Sequence, residues 1–382
     1  MTPDARIGWI ENGQERSARW QSESGVPAPK KVVPADDTMT ADAAYRLALD
    51  ANALLWRGDF QNARQLLQAL ARRIDHKSSR SKRAKAAKAP ATPFEQFHRH
   101  RLAQLQRARV LAMLVIPFED GYTIPLRRAP DVRAACEEAY GPYREPFVAS
   151  LRELLGLIGA HEWHRKGVEI PALGDRIHPC YGVFSPVRGE YVDLVAQAPL
   201  PAQCALAFDI GAGTGVLSAV LARRGIERVI ATDMDQRALS CARENIGRLG
   251  LSRQVELVQA DLFPDGRAPL VVCNPPWLPG KPSSSIEYAI YDPDSRMLKG
   301  FLAGLVDHLE QNGEGWLILS DLAEHLGLRT REQLLGWIDA GGLAVVQRHD
   351  VRPVHSKAFD PDDPLHAARS REVTSLWRLR AK

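Results

Sequence analysis

From residue 200 onward the hydrophobic positions fall in short runs that alternate with amphipathic stretches of helix length. ALAFDI is followed by VLSAVLARRG, RVIATD by QRALSCARENIGRLG, and VELVQAD by APLVVCN. A helix near 295–311, the run GWLILSDL, a helix near 329–340, LAVVQRH and TSLWRLR complete the series. Strands alternating with helices predict an α/β fold, a largely parallel sheet with helices on both faces. No helix separates the two closing strands, so the last is expected to insert antiparallel.

The first half has a different texture. Residues 1–39 are polar and Pro-containing, and the expectation is a loosely ordered arm with Trp9 and Trp20 pinned to the surface. Thr40 is a good N-cap, and the pattern after it is helical, with Gly58 and Asp59 dividing it into two helices. A basic, low-complexity loop is predicted over 77–93, then a helix around 94–114 and helical segments near 131–140 and 145–160. The expectation is therefore a mainly helical domain over 40–175, a substrate-recognition module, followed by a catalytic domain over 176–382. No internal repeat of useful length is visible.

The 382 residues suit two domains and a tail. No apolar run approaches the roughly 18 residues a membrane span needs, and the amino terminus lacks a secretory apolar core. The five cysteines contain no C-x-x-C pair, which argues against a disulfide framework and a zinc site and for a cytoplasmic location. The net charge of +4 conceals a basic block: residues 71–110 hold twelve Lys or Arg against Asp75 and Glu95, or +10, leaving −6 elsewhere. Such a block suits RNA or the ribosome.

Ligands on such a sheet bind at the carboxyl ends of the strands. The first strand ends in Asp209-Ile210-Gly211-Ala212-Gly213-Thr214-Gly215, whose glycines permit a sharp turn and close ligand approach. The second ends in Asp233, placed to accept from both hydroxyls of a ribose. The third ends in Gln259-Ala260-Asp261-Leu262, and the fourth in Asn274-Pro275-Pro276-Trp277. Three acids and a glycine loop at successive strand ends point to a nucleoside-type cofactor.

DIGAGTG, ATDMD, QADLF and VVCNPPW resemble the four core motifs of class I S-adenosylmethionine-dependent methyltransferases, a likeness that covers residues 180–380. NPPW resembles the (D or N)-P-P-(F, Y or W) subclass that methylates planar nitrogens. The resemblance implies a Rossmann-like seven-stranded sheet and S-adenosyl-L-methionine as cofactor. It implies that Asp209 with Gly211, Ala212, Gly213 and Gly215 holds the methionine end. Asp233 would bind ribose, Met234 would pack on adenine, and Asp261 with Leu262 would address the adenine amino edge.

The chemistry follows physically. An amide or arylamine nitrogen is a weak nucleophile because its lone pair is delocalised. Accepting hydrogen bonds from both N–H groups, through the Asn274 carboxamide oxygen and the Pro275 carbonyl, favours a pyramidal nitrogen aimed at the methyl group. Pro275 and Pro276 lock the turn, and Trp277 offers a flat face for stacking.

Two acceptors compete. The layout of SSIEYAIYDPDSRMLKGFL, and of YGVFSPVRGEYVDLV with Phe184, Pro186, Arg188 and Glu190 as substrate-facing candidates, is similar to the release-factor glutamine methyltransferases. That likeness implies a translation-related protein substrate. The basic block favours rRNA or tRNA base methyltransferases. A third reading is a catalytically silent scaffold of the same fold. The 278–296 loop and the 349–372 connection are expected on the substrate rim. His349, Asp350, His355, Asp360, Asp362, Asp363 and His366 in that connection show no compact ligand spacing, so it reads as a polar loop without metal.

Overall fold

In the computed structural model, which describes residues 5–85, 92–187, 189–282, 285–354 and 359–382, the chain divides into two units. The first comprises Met1–Thr92 with His98–Glu162, and the second Pro93–Phe97 with Trp163–Lys382. The expected boundary near 175 therefore moves to about residue 162.

The first unit is built on a sheet, which corrects the expected loosely ordered arm and mainly helical domain. Its elements run β1 (Arg6–Glu11), β2 (Gln14–Gln21), β3 (Lys31–Ala35), α1 (Ala41–Leu49), β4 (Asn52–Trp56), α2 (Phe60–Lys85), α3 (Pro93–Ala112), β5 (Leu114–Phe118), α4 (Arg133–Tyr140), β6 (Phe147–Ser150) and α5 (Leu151–Lys166). The sheet order is β1-β2-β6-β5-β4-β3, with β3, β4 and β5 mutually parallel and β6 antiparallel to β5. Asn12 and Gly13 join β1 to β2 with φ of 51° and 74°, the left-handed pair a tight hairpin demands.

Thr40 does cap α1, accepting from the Ala43 N–H, but the helix ends at Leu49 and NALLW continues as the buried strand β4. An apolar run of that length satisfies a helix and a buried strand equally, and only pairing on both sides decides. The same holds for β6, placed where a helix was expected from 145. The helix α2 runs through Lys85 into the expected basic loop, while residues 86–91 of that loop lie outside the described residues. Phe118 and Phe147 stack at 4.4 Å between centroids on neighbouring strands.

The second unit has the expected architecture. After a two-stranded ribbon, β7 (Val168–Ile170) and β8 (Asp175–Ile177), come α6 (Glu190–Gln197), β9 (Leu206–Ile210), α7 (Val216–Arg223), β10 (Arg228–Asp233), α8 (Gln236–Arg248), β11 (Val255–Gln259) and β12 (Ala268–Cys273). Then follow α9 (Arg296–His308), β13 (Leu309–Ser320), α10 (Leu322–His325), α11 (Arg331–Ala340), β14 (Leu343–Val351), α12 (His366–Arg369) and β15 (Thr374–Ala381). The seven strands are ordered β11-β10-β9-β12-β13-β15-β14, and β15 lies antiparallel between β13 and β14.

Alternation assigns each strand residue to one of two cores. Leu270 and Val272 of β12 pack with Val216, Val220 and Ile246 from α7 and α8. Val271 and Cys273 pack with Leu298, Phe301 and Leu302 from α9 and with Leu334 and Ile338 from α11. Burial on both faces is why these strands read as continuous apolar runs. Glu314 of β13 is fully buried and neutralised by Arg378 and Arg380 from the antiparallel strand. No helix among the described residues is long and apolar enough to cross a membrane.

Candidate active site

The chain runs outward from β9 through β10 to β11 and returns to β12 on the other side of β9, so strand order reverses at β9. A cleft opens at that switch point, as the fold dictates. Its volume is about 1320 Å³, above the roughly 300–1,000 Å³ of a site for one small ligand.

One wall is the glycine turn. Gly211, Gly213 and Gly215 have φ of 81°, 53° and 79°, a region closed to most side chains. A Cβ on Gly211 would also stand 2.8 Å from the Met297 methyl. The Gly211 and Ala212 N–H groups donate to the Thr232 carbonyl, and the Gly213 N–H donates to Asp233 Oδ2 at 3.0 Å.

Gly211 and Gly213 line the cleft, whereas Asp209, Ala212 and Gly215 stand behind its surface. Asp209 is buried and accepts from the Ser218 hydroxyl of α7. Burial pushes its carboxyl up to about 6, the Ser218 hydrogen bonds opposing and the neighbouring Asp233 reinforcing the rise. Its position is that of a support for the turn rather than of a cleft-lining group.

Asp233 reaches the cleft, with Oδ1 also accepting from the Asp235 N–H at 2.9 Å. Burial holds its carboxyl above the ordinary range. Met234 lies beside it, 56% exposed, an apolar side chain at the cleft surface. Leu262 lines the same end with φ of 79°, its carbonyl held by the Thr232 hydroxyl. Asp261 lines it too, but is paired with Arg296 at 2.6 Å, a partner the motif did not suggest.

Asn274, Pro275, Pro276 and Trp277 all line the cleft at the end of β12. The Trp277 indole N–H donates to Asn274 Oδ1 at 2.9 Å. An N–H donor requires an acceptor, which assigns the carboxamide oxygen rather than the amide NH₂ to that side. One lone pair of Oδ1 is thus engaged by the indole, and the carboxamide plane is held by its neighbour three residues on.

Of the substrate-facing candidates, Phe184 lines the cleft. Pro186 and Glu190 do not, and the Glu190 carboxylate instead accepts from the Val354 N–H at 2.9 Å. Arg188 lies outside the described residues. The 278–296 loop does reach the cleft through Tyr288, Tyr291 and Arg296. It is anchored by Asp292, a residue that motif reading passed over. Asp292 is buried, and its carboxylate accepts from the Met297 and Leu298 N–H groups at 3.0 and 3.1 Å, satisfying the exposed start of α9. The signal was present as an Asp four residues before the helix.

The 349–372 connection contributes Arg369 and Glu372 to the rim, and α10 contributes Leu322. Asp363 there pairs with Arg369 at 3.1 Å. His355 falls outside the described residues. Among the described residues none of the other His and Asp candidates of this connection joins a group with metal-ligand spacing. The cleft's charged lining is acidic on balance, with Asp233, Asp235, Asp261, Asp292 and Glu372 against Arg296 and Arg369.

Residues 180–330 match the methyltransferase small domain. The chain is 28% identical over 165 residues to a release factor glutamine methyltransferase of Cereibacter sphaeroides, covering 39% of this chain and 56% of that protein. It is 32% identical over 145 residues to a tRNA1(Val) (adenine(37)-N6)-methyltransferase of Shewanella loihica, covering 35% and 59%. It is 44% identical over 69 residues to a ribosomal protein L11 methyltransferase of Pelotomaculum thermopropionicum, covering 18% and 22%. The chain thus spans between 22% and 59% of the length of these relatives. The methyltransferase small domain contains β9 to β13 and every strand-end motif of the cleft.

Proposed function

We propose that the chain is an S-adenosyl-L-methionine-dependent N-methyltransferase, and that its acceptor is the side-chain amide of a glutamine in a translation-related, cytoplasmic protein. The observation that carries this reading is the Asn274 carboxamide, held by Trp277 at the cleft surface opposite Asp233 and the glycine turn. The residues present fit the cofactor: Asp233 for the ribose hydroxyls, Met234 for an adenine face, Asp261 with Leu262 for its amino edge, and a glycine-rich turn for the methionine end. The bound cofactor supplies an electrophilic methyl group.

This chain's residues then align the nitrogen. The remaining lone pair of Asn274 Oδ1 and the Pro275 carbonyl accept the two N–H groups of a planar amide. Pro275 and Pro276 lack backbone donors, so neither competes for the nitrogen's lone pair. Alignment of this kind contributes up to about 7–11 kcal/mol in favourable cases. The acidic lining favours a protein over a polyphosphate at the mouth, since both arginines are already paired with carboxylates.

A specific observation supports a second reading, an amino group of an rRNA or tRNA base. The basic residues of the 71–110 block that the structure describes fall on α2 and α3, and phosphate contacts supply most non-specific RNA affinity. On either reading the first unit is the substrate-recognition module.

Transfer of a tritiated methyl group into a cell extract, divided into protease-treated and RNase-treated halves, tests the reading. Label lost only to protease supports it. Label lost only to RNase replaces it with the base reading, and bound cofactor with no label transferred leaves a silent scaffold.

A further inference from the structure

We propose that His164, Cys180, Cys241 and Glu244 form a binding site for one zinc ion, apart from the cleft. His164 Nε2 lies 3.1 Å from Glu244 Oε1 and 4.0 Å from Cys180 Sγ. Cys180 Sγ lies 4.0 Å from Glu244 Oε2, and the Cys180 N–H donates to Cys241 Sγ at 3.2 Å. Zinc bonds of about 2.0–2.3 Å to nitrogen, oxygen and sulfur give tetrahedral edges of about 3.3–3.8 Å. The separations among His164, Cys180 and Glu244 lie close to those edges, and Cys241 Sγ, held by the Cys180 N–H, stands beside them as the fourth donor. Two thiols, an imidazole and a carboxylate are a donor set that zinc prefers over harder divalent cations.

The surroundings suit a thiolate site. Besides the Cys180 N–H, the Asn245 side-chain amide donates to Cys241 Sγ at 3.6 Å, and such donors offset thiolate charge. Arg248 holds Glu244 Oε1 at 2.7 Å. Cys241 and Glu244 are three residues apart on α8 and so share a face. His164 sits near the end of α5 and Cys180 in the segment after β8. Ligands drawn from three separate segments explain why cysteine spacing did not reveal the site.

Thiolate coordination displaces protons, so zinc affinity rises with pH. The ion would clamp one cleft wall, because Gly182, Val183 and Phe184 just after Cys180, and Ala238 just before Cys241, line the cleft. The proposal does not depend on the acceptor or on methyl transfer.

The test uses the full chain, purified under reductant and stripped with a chelator, titrated with Zn²⁺ against a chromophoric competitor and separately with Co²⁺. The expected result is one ion per chain, with thiolate-to-cobalt charge transfer and the visible bands of a tetrahedral site. The Cys180→Ser, Cys241→Ser double variant weakens uptake by about 100-fold or more, His164→Ala weakens it, and Cys204→Ser leaves it unchanged. Circular dichroism of the metal-free chains checks that the variants remain folded. No stoichiometric uptake by the reduced wild type overturns the proposal, as does wild-type affinity in the double variant. A Cys180–Cys241 disulfide in the isolated protein, with no zinc uptake after reduction, overturns it equally.

Discussion

Asp209 offers a quantitative test of how the cleft's support is built. Its carboxyl is 1% exposed behind the glycine turn, and burial raises it from an ordinary 3.8 to about 6. Below pH 3.8 folded and unfolded chains both carry the proton, and the group contributes nothing. Between 3.8 and about 6 the folded chain keeps a proton that the unfolded chain has released, so stability falls as pH rises. Above about 6 the loss is complete and constant. At about 1.36 kcal/mol for each pH unit of that interval, the cost of ionising Asp209 in the fold is about 3 kcal/mol. Asp209→Asn removes the titration. The amide brings a pH-independent change of its own, including an NH₂ that must find an acceptor, but this cancels in the pH dependence. Urea unfolding of wild type and variant without cofactor, at pH 4 and pH 8, is the assay. The stability of Asp209→Asn relative to wild type should improve by about 2.4 kcal/mol between the two, because part of the loss is already present at pH 4. A difference that stays flat to within about 0.5 kcal/mol, the usual scatter of independent comparisons, refutes the assignment of a strained, buried carboxylate.

Asn274→Ala should bind cofactor nearly as wild type by calorimetry yet lose about 10²–10³ in single-turnover rate, the scale for removing one preorganised polar contact; an active variant removes Asn274 from the mechanism. Trp277→Phe keeps a smaller flat face and deletes the indole N–H, so a hydrogen bond worth about 0.5–1.5 kcal/mol predicts a kcat lower by about 2- to 13-fold. An unchanged kcat would show that the Trp277–Asn274 bond orients nothing. Asp233→Ala should weaken cofactor binding by about 10- to 100-fold, the loss of hydrogen bonds to a charged acceptor, and calorimetric affinity within a factor of two of wild type would exclude Asp233 from the ribose site.

How much of this was legible varied with the physical source of each signal. In the second unit the central strands β9, β10, β12 and β13 are buried on both faces, so they appear as apolar runs bounded by glycine or acid. The glycine turn was readable because positive φ leaves few alternatives to glycine. In the first unit β4 and β6 were absorbed into helical patterns, since a run of four or five apolar residues fits either element. The hairpin was missed despite a usable cue, Asn12-Gly13 between alternating residues, because the strands beside it are mostly polar and β1 is an edge.

By itself the sequence determined the α/β order of the second unit, the antiparallel insertion of β15 and the four strand ends that meet at the cleft. These are local properties: periodicity, backbone permission and the absence of a crossover helix. Only the tertiary structure decided which of those residues face the cleft. It set Asp209 behind the turn, paired Asp261 with Arg296, placed Asp292 under the loop and joined the Trp277 indole to Asn274. It also brought His164, Cys180, Cys241 and Glu244 together from three segments. Each depends on side chains from distant elements competing for one partner in a space of fixed size, and a one-dimensional pattern carries no record of that competition.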